Sequence, residues 1–154
     1  MEGVKSCYDP ESTIPAKEEE FRRNGRLPKQ GKYKSCSKEG EEAYVGEFYN
    51  GRMHGFGIYS KNGSVVYTGQ FHNGNKQGYG SLTTSTGVLS GYFKNDLING
   101  PGRFEWGNGD GRVYEGEFKD SKFHGEGEIR LKNGNVLKGV WEEGHSVHLK
   151  AVTR

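Results

Sequence analysis

The sequence predicts an all-β fold, an elongated single-sheet meander of consecutive antiparallel β-hairpins. The first observation is a motif of Tyr or Leu, Gly and an aromatic residue that recurs every 22 to 25 residues. The second is a series of Asn-Gly pairs between the motifs, the strongest short signal for a hairpin turn. The third is composition, since glycine supplies 26 of the 154 residues while hydrophobic residues make up only 31%. With few aliphatic side chains for a thick core, we expect aromatic rings to pack on backbone that glycine leaves bare.

Four full units and one half unit follow one another from residue 44 to residue 144. The full units span residues 44–66, 67–88, 89–113 and 114–136, and the half unit spans residues 137–144. Each unit opens with three consensus residues at alternate positions: Tyr44, Gly46 and Phe48; Tyr67, Gly69 and Phe71; Leu89, Gly91 and Phe93; Tyr114, Gly116 and Phe118; and Leu137, Gly139 and Trp141. Alternate residues of a strand share one side, so these triplets predict one common packed face.

The second strand of each hairpin is marked by a Gly-x-Gly pair. The pairs are Gly55 and Gly57, Gly78 and Gly80, Gly100 and Gly102, and Gly125 and Gly127. The second turns are assigned to Asn62-Gly63, Thr86-Gly87, Asn108-Gly109 and Asn133-Gly134. In the third unit, Asn95-Asp96 replaces the first Asn-Gly pair and residues 106–111 lengthen the second turn, so a local bulge is expected there.

The flanking segments give weaker patterns. Residues 1–20 carry Pro10, Pro15 and scattered polar groups, which favours a disordered or strap-like segment. Residues 21–43 are interpreted as a degenerate capping repeat, because Gly31-x-Tyr33 is similar to Gly57-x-Tyr59 and terminal repeats are commonly atypical. Residues 145–154 are interpreted as a C-terminal cap or tail.

The repeated pattern of Tyr-x-Gly-x-Phe, an Asn-Gly type of turn and Gly-x-Gly resembles the membrane occupation and recognition nexus (MORN) repeat. The resemblance covers residues 44 to 144. It implies a MORN-repeat array, with a function in cytoskeletal scaffolds, cilia, flagella or membrane-proximal assemblies. It also implies a possible affinity for acidic phospholipids, which has been proposed for the family.

Charge and motif content exclude several classes of function. The net charge of +2, from 22 basic and 20 acidic residues, is too balanced to predict nucleic-acid binding. No apolar run is long enough for a transmembrane helix, and a cytoplasmic location is expected, with possible cytoskeleton or cilium and flagellum association. We find no catalytic, cofactor-binding or metal-binding residues; His54 and His124 occupy the same slot in two repeats, which favours a structural role. The chain is therefore predicted not to be an enzyme and to need no cofactor.

The face opposite the consensus residues is free to vary, and there we expect the function. Candidate partner-binding residues on it are Tyr49, Phe56, Ile58, Tyr79, Tyr92, Lys94 and Arg103. Exposed Tyr and Phe side chains supply large contact area at low entropic cost. A 20-residue helix, about 30 Å long, matches the span of six strands, about 29 Å. The first three units are therefore predicted to cradle one amphipathic helix, with Lys94 and Arg103 favouring an acidic flank on the ligand.

Two alternatives for this face remain open at the level of sequence: contacts with residues 1–20, and no role at all. For the whole protein we expect a non-enzymatic scaffold or adaptor for a helical or cytoskeletal protein segment. The alternative is a peripheral membrane-surface module, since residues 44–95 carry four basic residues and one acidic residue. A third possibility is a homodimer formed through sheet edges.

Overall fold

The computed structural model describes residues 30–36 and 42–152, and every regular element within them is a β-strand. The chain divides into two compact units, Met1–Lys76 and Gln77–Arg154, which are treated separately below. The predicted strap at residues 1–20 lies outside the described residues, as does most of the predicted capping repeat at residues 21–43.

Strands follow one another with short turns between them. The first unit contains β1 (Gln30–Cys36), β2 (Glu42–Tyr49), β3 (Arg52–Lys61) and β4 (Ser64–His72). Strand β5 (Asn75–Thr83) begins at the end of that unit, and its remaining residues belong to the second unit, with β6 (Gly87–Lys94), β7 (Leu97–Trp106), β8 (Val113–Lys119), β9 (Lys122–Arg130), β10 (Val136–Glu142) and β11 (His145–Val152). In each unit, successive strands are antiparallel hydrogen-bonded neighbours. The predicted all-β meander of hairpins is confirmed.

The first turn of every repeat contains two residues with positive φ. In Asn50-Gly51 the φ angles are 51° and 76°, and in Asn95-Asp96 they are 50° and 72°. The same geometry holds at Asn73-Gly74, Asp120-Ser121 and Glu143-Gly144. Two positive φ angles are the mark of a type I′ turn, whose twist matches that of the flanking strands. The Asn95-Asp96 substitution thus leaves the turn type unchanged.

The core is formed by the predicted consensus face. Its buried aromatic and aliphatic members are Tyr44, Phe48, Tyr67, Phe71, Leu89, Phe93, Ile98, Tyr114, Phe118 and Trp141. Most ring pairs meet edge to face, as Tyr44 does with Phe71 at 5.3 Å between centroids and Tyr114 with Trp141 at 5.1 Å. Tyr114 also stacks on Phe123 at 3.8 Å. These two edge-to-face contacts join one hairpin to the next, so each hairpin gains its core from its neighbour.

At a register shift in the repeats, the hydroxyl of the consensus tyrosine forms a hydrogen bond in addition to the packing of its ring. Between β2 and β3 the pairing shifts between Gly46 and Phe48, which takes Glu47 out of the regular ladder. The Tyr44 hydroxyl donates to the carbonyl of Glu47 at 2.8 Å, and Tyr67 and Tyr114 make the same contact with Gln70 and Glu117. A bulge leaves backbone groups unpaired, and here a tyrosine hydroxyl satisfies the carbonyl. The bulge is thus a feature of the repeat, not of the third unit alone.

Hairpins within each unit are also linked by a backbone contact between turns. The N–H of Gly74 donates to the Met53 carbonyl at 2.8 Å, and the N–H of Ser121 donates to the Ile98 carbonyl at 2.9 Å. The residue just before three of the four Gly-x-Gly pairs adds a side-chain acceptor for a backbone N–H of the following turn: His54 Nδ1 for Asn73, Gln77 Oε1 for Asn95, and Asn99 Oδ1 for Asp120. This contact explains why His54 occupies a repeat slot that Gln and Asn also fill.

Three local sequence assignments are wrong. Gly31 pairs with Phe48, as Gly55 pairs with Phe71, so Gly31 corresponds to Gly55 rather than to Gly57. Gly87 is not a turn residue but begins β6, and the turn is held instead by the Thr84 hydroxyl, which accepts the N–H of Gly87 at 3.2 Å.

The third departure lies at the C-terminal side, where the sequence pattern shows no second strand after Gly144. Residues His145–Val152 nevertheless form β11, paired with β10. The strand lacks Gly-x-Gly but retains apolar residues at alternate positions, Val147, Leu149 and Ala151.

The lengthened turn of the third repeat is held by Arg112. Its guanidinium lies over the Trp106 ring at 4.4 Å from the centroid and forms two hydrogen bonds with the Asp110 carboxylate. Hydrogen bonding to Arg112 holds the pKa of Asp110 below its usual value.

Candidate functional site

One row of side chains runs along the middle of the face opposite the core. Its members are the residue between the two glycines of each Gly-x-Gly pair and the residue just before each consensus aromatic. In the first unit this central row consists of Glu47, Phe56 and Gln70, and in the second unit of Tyr79, Tyr92, Pro101, Glu117, Glu126 and Val140. Neighbouring repeats place these residues directly opposite each other in register: Phe56 and Gln70, Tyr79 and Tyr92, Pro101 and Glu117, and Glu126 and Val140. Opposed residues share a face, so the row forms a continuous strip within each unit.

The first unit presents aromatic and aliphatic side chains to solvent. Tyr49 is 47% exposed and Phe56 is 55% exposed. The Phe56 N–H donates to the Glu47 carboxylate at 2.7 Å, which fixes that acid beside the ring. Ile58 is half-buried between Val45 and Thr68, its partners on the adjoining strands. Phe56 is therefore the more accessible anchor, while Ile58 supports it.

Tyr49 belongs to a ladder of rings at the turn end of this unit. Its ring centroid lies 5.4 Å from that of His54, which in turn lies 4.7 Å from that of His72. The two histidines stand on adjacent strands, β3 and β4. His72 carries no signal in the sequence beyond its place in the alternation, which puts it on the variable face.

The second unit presents a cross-strand pair of tyrosines. Tyr79 is 56% exposed and Tyr92 is 63% exposed, and their rings meet edge to face at 5.5 Å between centroids. The next opposed pair, Ser81 and Ser90, has its hydroxyls 3.5 Å apart. Small side chains therefore border the two rings along the strands, and the rings stand above them.

The two candidate cations of this unit have different surroundings. Arg103 donates to Glu115 at 3.4 Å and lies 3.9 Å from Glu105. Lys94 is exposed at the end of β6, opposite Leu97. Because Arg103 is already paired with two carboxylates, the expected acidic ligand flank has less support here than the sequence alone gives it.

Carboxylates dominate the far part of the same row. Glu117 and Glu126 are exposed, and Glu115 faces Glu128 directly across β8 and β9. Among the residues that the structure describes, none of Glu117, Glu126 and Glu128 has a basic group within ion-pair distance. All four of these glutamates occupy x positions of the repeat motif, where alternation along the strands predicts the variable face: Glu115, Glu117, Glu126 and Glu128.

Two of the three large pKa shifts belong to the core tyrosines Tyr44 and Tyr114, and the third belongs to the half-buried Tyr59, where burial and then Glu42 raise the pKa. Burial raises the pKa of Tyr114 to about 12, with the nearby charge of Glu117 adding to the effect. Burial also raises the pKa of Tyr44. Their hydroxyls are used in the bulge contacts described above, so these shifts reflect packing. In residues 42–152, no group of three or more His, Cys, Asp or Glu side chains is placed to hold a metal ion. No helix in the described part of the chain is long and apolar enough to cross a membrane.

The candidate binding residues thus fall into two sets. Tyr49, Phe56 and Ile58 lie in the first unit, and Tyr79, Tyr92, Lys94 and Arg103 lie in the second. Sequence reasoning also gave no binding role to Val45, which is exposed, or to Glu117 and Glu126. Alternation along the strands does place all three residues on the variable face, and this is the only signal for them in the sequence.

Comparison with known protein families identifies four of the repeats. The family model of the MORN repeat matches residues 44–65, 67–88, 90–111 and 114–136, which together make up more than half of the chain. No curated protein matches the chain.

Proposed function

This chain belongs to the MORN-repeat family, and from that premise we propose that it is a non-enzymatic scaffold or adaptor that binds a protein segment on its variable face. MORN repeats are modules that bind proteins or membranes. The proposed ligand is a helical segment of a partner, of cytoskeletal or of ciliary and flagellar type, in the cytoplasm.

The observation that carries the proposal is the exposure of aromatic side chains on the face that the core does not use. Tyr79 and Tyr92 are each more than half exposed, although nearby consensus residues are buried. Clustered aromatic groups in water are typical of an interface, because they bury large area with few torsions to restrict. Phe56 and Tyr49 provide a similar surface in the first unit.

The strip also has the features that a helix requires. It is a row of opposed side chains that crosses the strands, and a helix lying along it would meet a new strand about every 4.8 Å. Apolar residues of an amphipathic helix recur at i, i+3, i+4 and i+7, so several strands can each receive one anchor. The helix would dock through the apolar anchors of its amphipathic face, as in other complexes that recognise a helix.

The test is a double substitution, Tyr49→Ala with Tyr79→Ala, which removes one exposed ring from each unit. Capture of partners from cell extract is measured by quantitative mass spectrometry, followed by affinity measurement with the recovered partner. We expect at least about a tenfold loss of affinity, or 1.4 kcal/mol, with a nearly unchanged melting temperature. Val65→Ser provides the matched control, since Val65 is 50% exposed and stands outside both aromatic sets. An unchanged affinity in the double variant would contradict the proposal.

A second candidate is a peripheral module that binds acidic phospholipids. It is favoured by the excess of basic residues over residues 44–95. Near an anionic surface each of three excess charges contributes roughly 1 kcal/mol, which is too little for firm attachment without a further contact. Self-association into a homodimer is the remaining alternative, and light scattering at several concentrations tests it.

A further inference from the structure

We propose that the second unit selects a basic partner: an amphipathic helix whose apolar anchor lies on Tyr79 and Tyr92 and whose basic side chains pair with Glu117 and Glu126. This inference rests on the proposed function and names the chemistry of the ligand. It also reverses the acidic flank that Lys94 and Arg103 predict from the sequence.

The side chains along the central row of this unit change from aromatic to acidic. The exposed tyrosine pair stands on β5 and β6, Pro101 and Glu117 on β7 and β8, and Glu126 on β9. Adjacent strands lie about 4.8 Å apart, so Glu117 is about 10 Å and Glu126 about 14 Å from Tyr92 along the row. A ligand that lies along the row therefore passes from an aromatic site to an acidic one, with the exposed Pro101 between them.

The central row of this unit is negatively charged. It contains two carboxylates and no cation in the second unit, and neither Glu117 nor Glu126 has an ion-pair partner among the described residues. The cations of the same face stand beside the row. Arg103 is held by Glu115 and Glu105, and Lys138 lies opposite Glu128. Three further exposed cations stand toward the strand ends, two residues or more from the row: Lys94, Lys119 and Arg130. Like charges on adjacent strands disfavour each other, and a basic ligand would relieve that repulsion.

The spacing of the row determines which positions of a bound helix would meet each side chain. With a rise of 1.5 Å per residue, a residue seven positions beyond the apolar anchor lies about 10.5 Å along the helix axis, level with Glu117. A residue ten or eleven positions beyond the anchor is the next on the same helical face, within reach of Glu126. The expected ligand pattern is an apolar residue at i with Arg or Lys at i+7 and at i+10 or i+11.

The test uses the full chain and a display library of amphipathic helical peptides in which charged positions are randomised among Arg, Lys, Glu and Gln. After selection against the wild-type protein, we expect enrichment of Arg or Lys at the two positions named above. The affinity of the enriched peptides should fall at least tenfold for Glu117→Gln with Glu126→Gln. It should also fall as ionic strength rises, since exposed charge pairs are screened.

Glu105→Gln is the matched control, because it removes one carboxylate of the same face outside the central row, while Arg103 keeps its shorter contact with Glu115 at 3.4 Å. Glu105 stands four residues from Pro101 along β7, about 13 Å away. The affinity of the Glu105→Gln protein for the enriched peptides should stay within about twofold of wild type. Unchanged circular dichroism and melting temperature of all variants exclude a folding effect.

The outcomes separate this inference from the proposed function. Selected peptides that lose affinity with Tyr79→Ala and Tyr92→Ala but carry no basic preference, or bind equally to the Glu117→Gln and Glu126→Gln protein, would overturn the inference and leave the function standing. Peptides that bind independently of the tyrosines, or a selection without enrichment, would overturn both.

Discussion

The Tyr44 ring lies directly over Gly57, which stands in the next strand diagonally from Tyr44 and directly opposite Gly46. A β-carbon added to Gly57 would stand only 2.5 Å from Cζ of that ring. Tyr114 covers Gly127 in the same way, with 2.7 Å from such a β-carbon to the ring Cε2. The second glycine of the Gly-x-Gly pair therefore provides space for an aromatic ring. The first glycine serves a different purpose, since Gly55 has a φ of +80°, where other residues are strained.

We predict that Gly57→Val destabilises the protein by about 1–3 kcal/mol, the usual range for overpacking a core. The added side chain must displace the buried Tyr44 ring, which also breaks the bond from its hydroxyl to the Glu47 carbonyl. Urea denaturation of the purified variant gives the free energy of unfolding. Thr83→Val introduces a valine at an exposed strand position where no ring must move, and it should change the free energy of unfolding by less than about 0.5 kcal/mol. A Gly57→Val protein as stable as wild type would contradict the packing.

The acceptor that precedes Gly-x-Gly gives a second prediction. Asn99 accepts the N–H of Asp120 at 3.1 Å, linking one hairpin to the next. Asn99→Leu removes the acceptor and should cost about 0.5–1.5 kcal/mol of unfolding free energy, the net value of one hydrogen bond. Asn99→Gln should retain most of the stability, because Gln77 makes the same contact with Asn95 at 3.2 Å. Equal losses in the two variants would show that side-chain volume, rather than the hydrogen bond, matters at this position.

Much of the fold could be predicted because the same pattern of consensus residues recurs in every repeat. Tyr44, Gly46 and Phe48 alternate, and so do their counterparts, so the buried face follows from period two. The bulge at Glu47 could not be predicted, because a shift of register leaves no signature in an alternating pattern. The same problem affected Gly31, where a similarity over three residues fits two registers that differ by two positions.

The exposure of the candidate aromatic residues could be predicted from the sequence, but the ion-pair partners of the candidate cations could not. Alternation places Phe56, Tyr79 and Tyr92 on the variable face, and the structure finds them exposed. Whether Arg103 is free depends on Glu115, which is twelve residues away in sequence and adjacent only after β7 and β8 pair. Pairing across strands is a property of register, and composition alone does not report it.

The phospholipid alternative gives a third prediction. Binding to liposomes that contain acidic lipids, measured by co-sedimentation at low salt, should disappear near physiological ionic strength. The reason is that residues 44–95 carry an excess of only about three charges, and the Debye length falls to about 8 Å at 0.15 M salt. Liposomes of neutral lipid provide the control. Tight binding that resists salt and distinguishes between headgroups would make the membrane module the better proposal.

The last prediction concerns alkaline pH and the buried hydroxyl of Tyr114. Burial raises its pKa to about 12 from the ordinary value of 10.0, so the folded state keeps the proton where the unfolded chain loses it. The stability that depends on the neutral hydroxyl is fully present below pH 10 and is lost progressively as the pH rises towards 12. Denaturation curves from pH 8 to 12 should therefore fall less steeply above pH 10 for Tyr114→Phe than for wild type. At pH 8 the variant should be about 0.5–1.5 kcal/mol less stable, because the Glu117 carbonyl loses its donor at 2.8 Å. Tyr92→Phe is the control for removal of a tyrosine hydroxyl outside the core, since the Tyr92 side chain is 63% exposed. A Tyr114→Phe curve parallel to wild type above pH 10 would show that this hydroxyl ionises equally in the folded and unfolded chains.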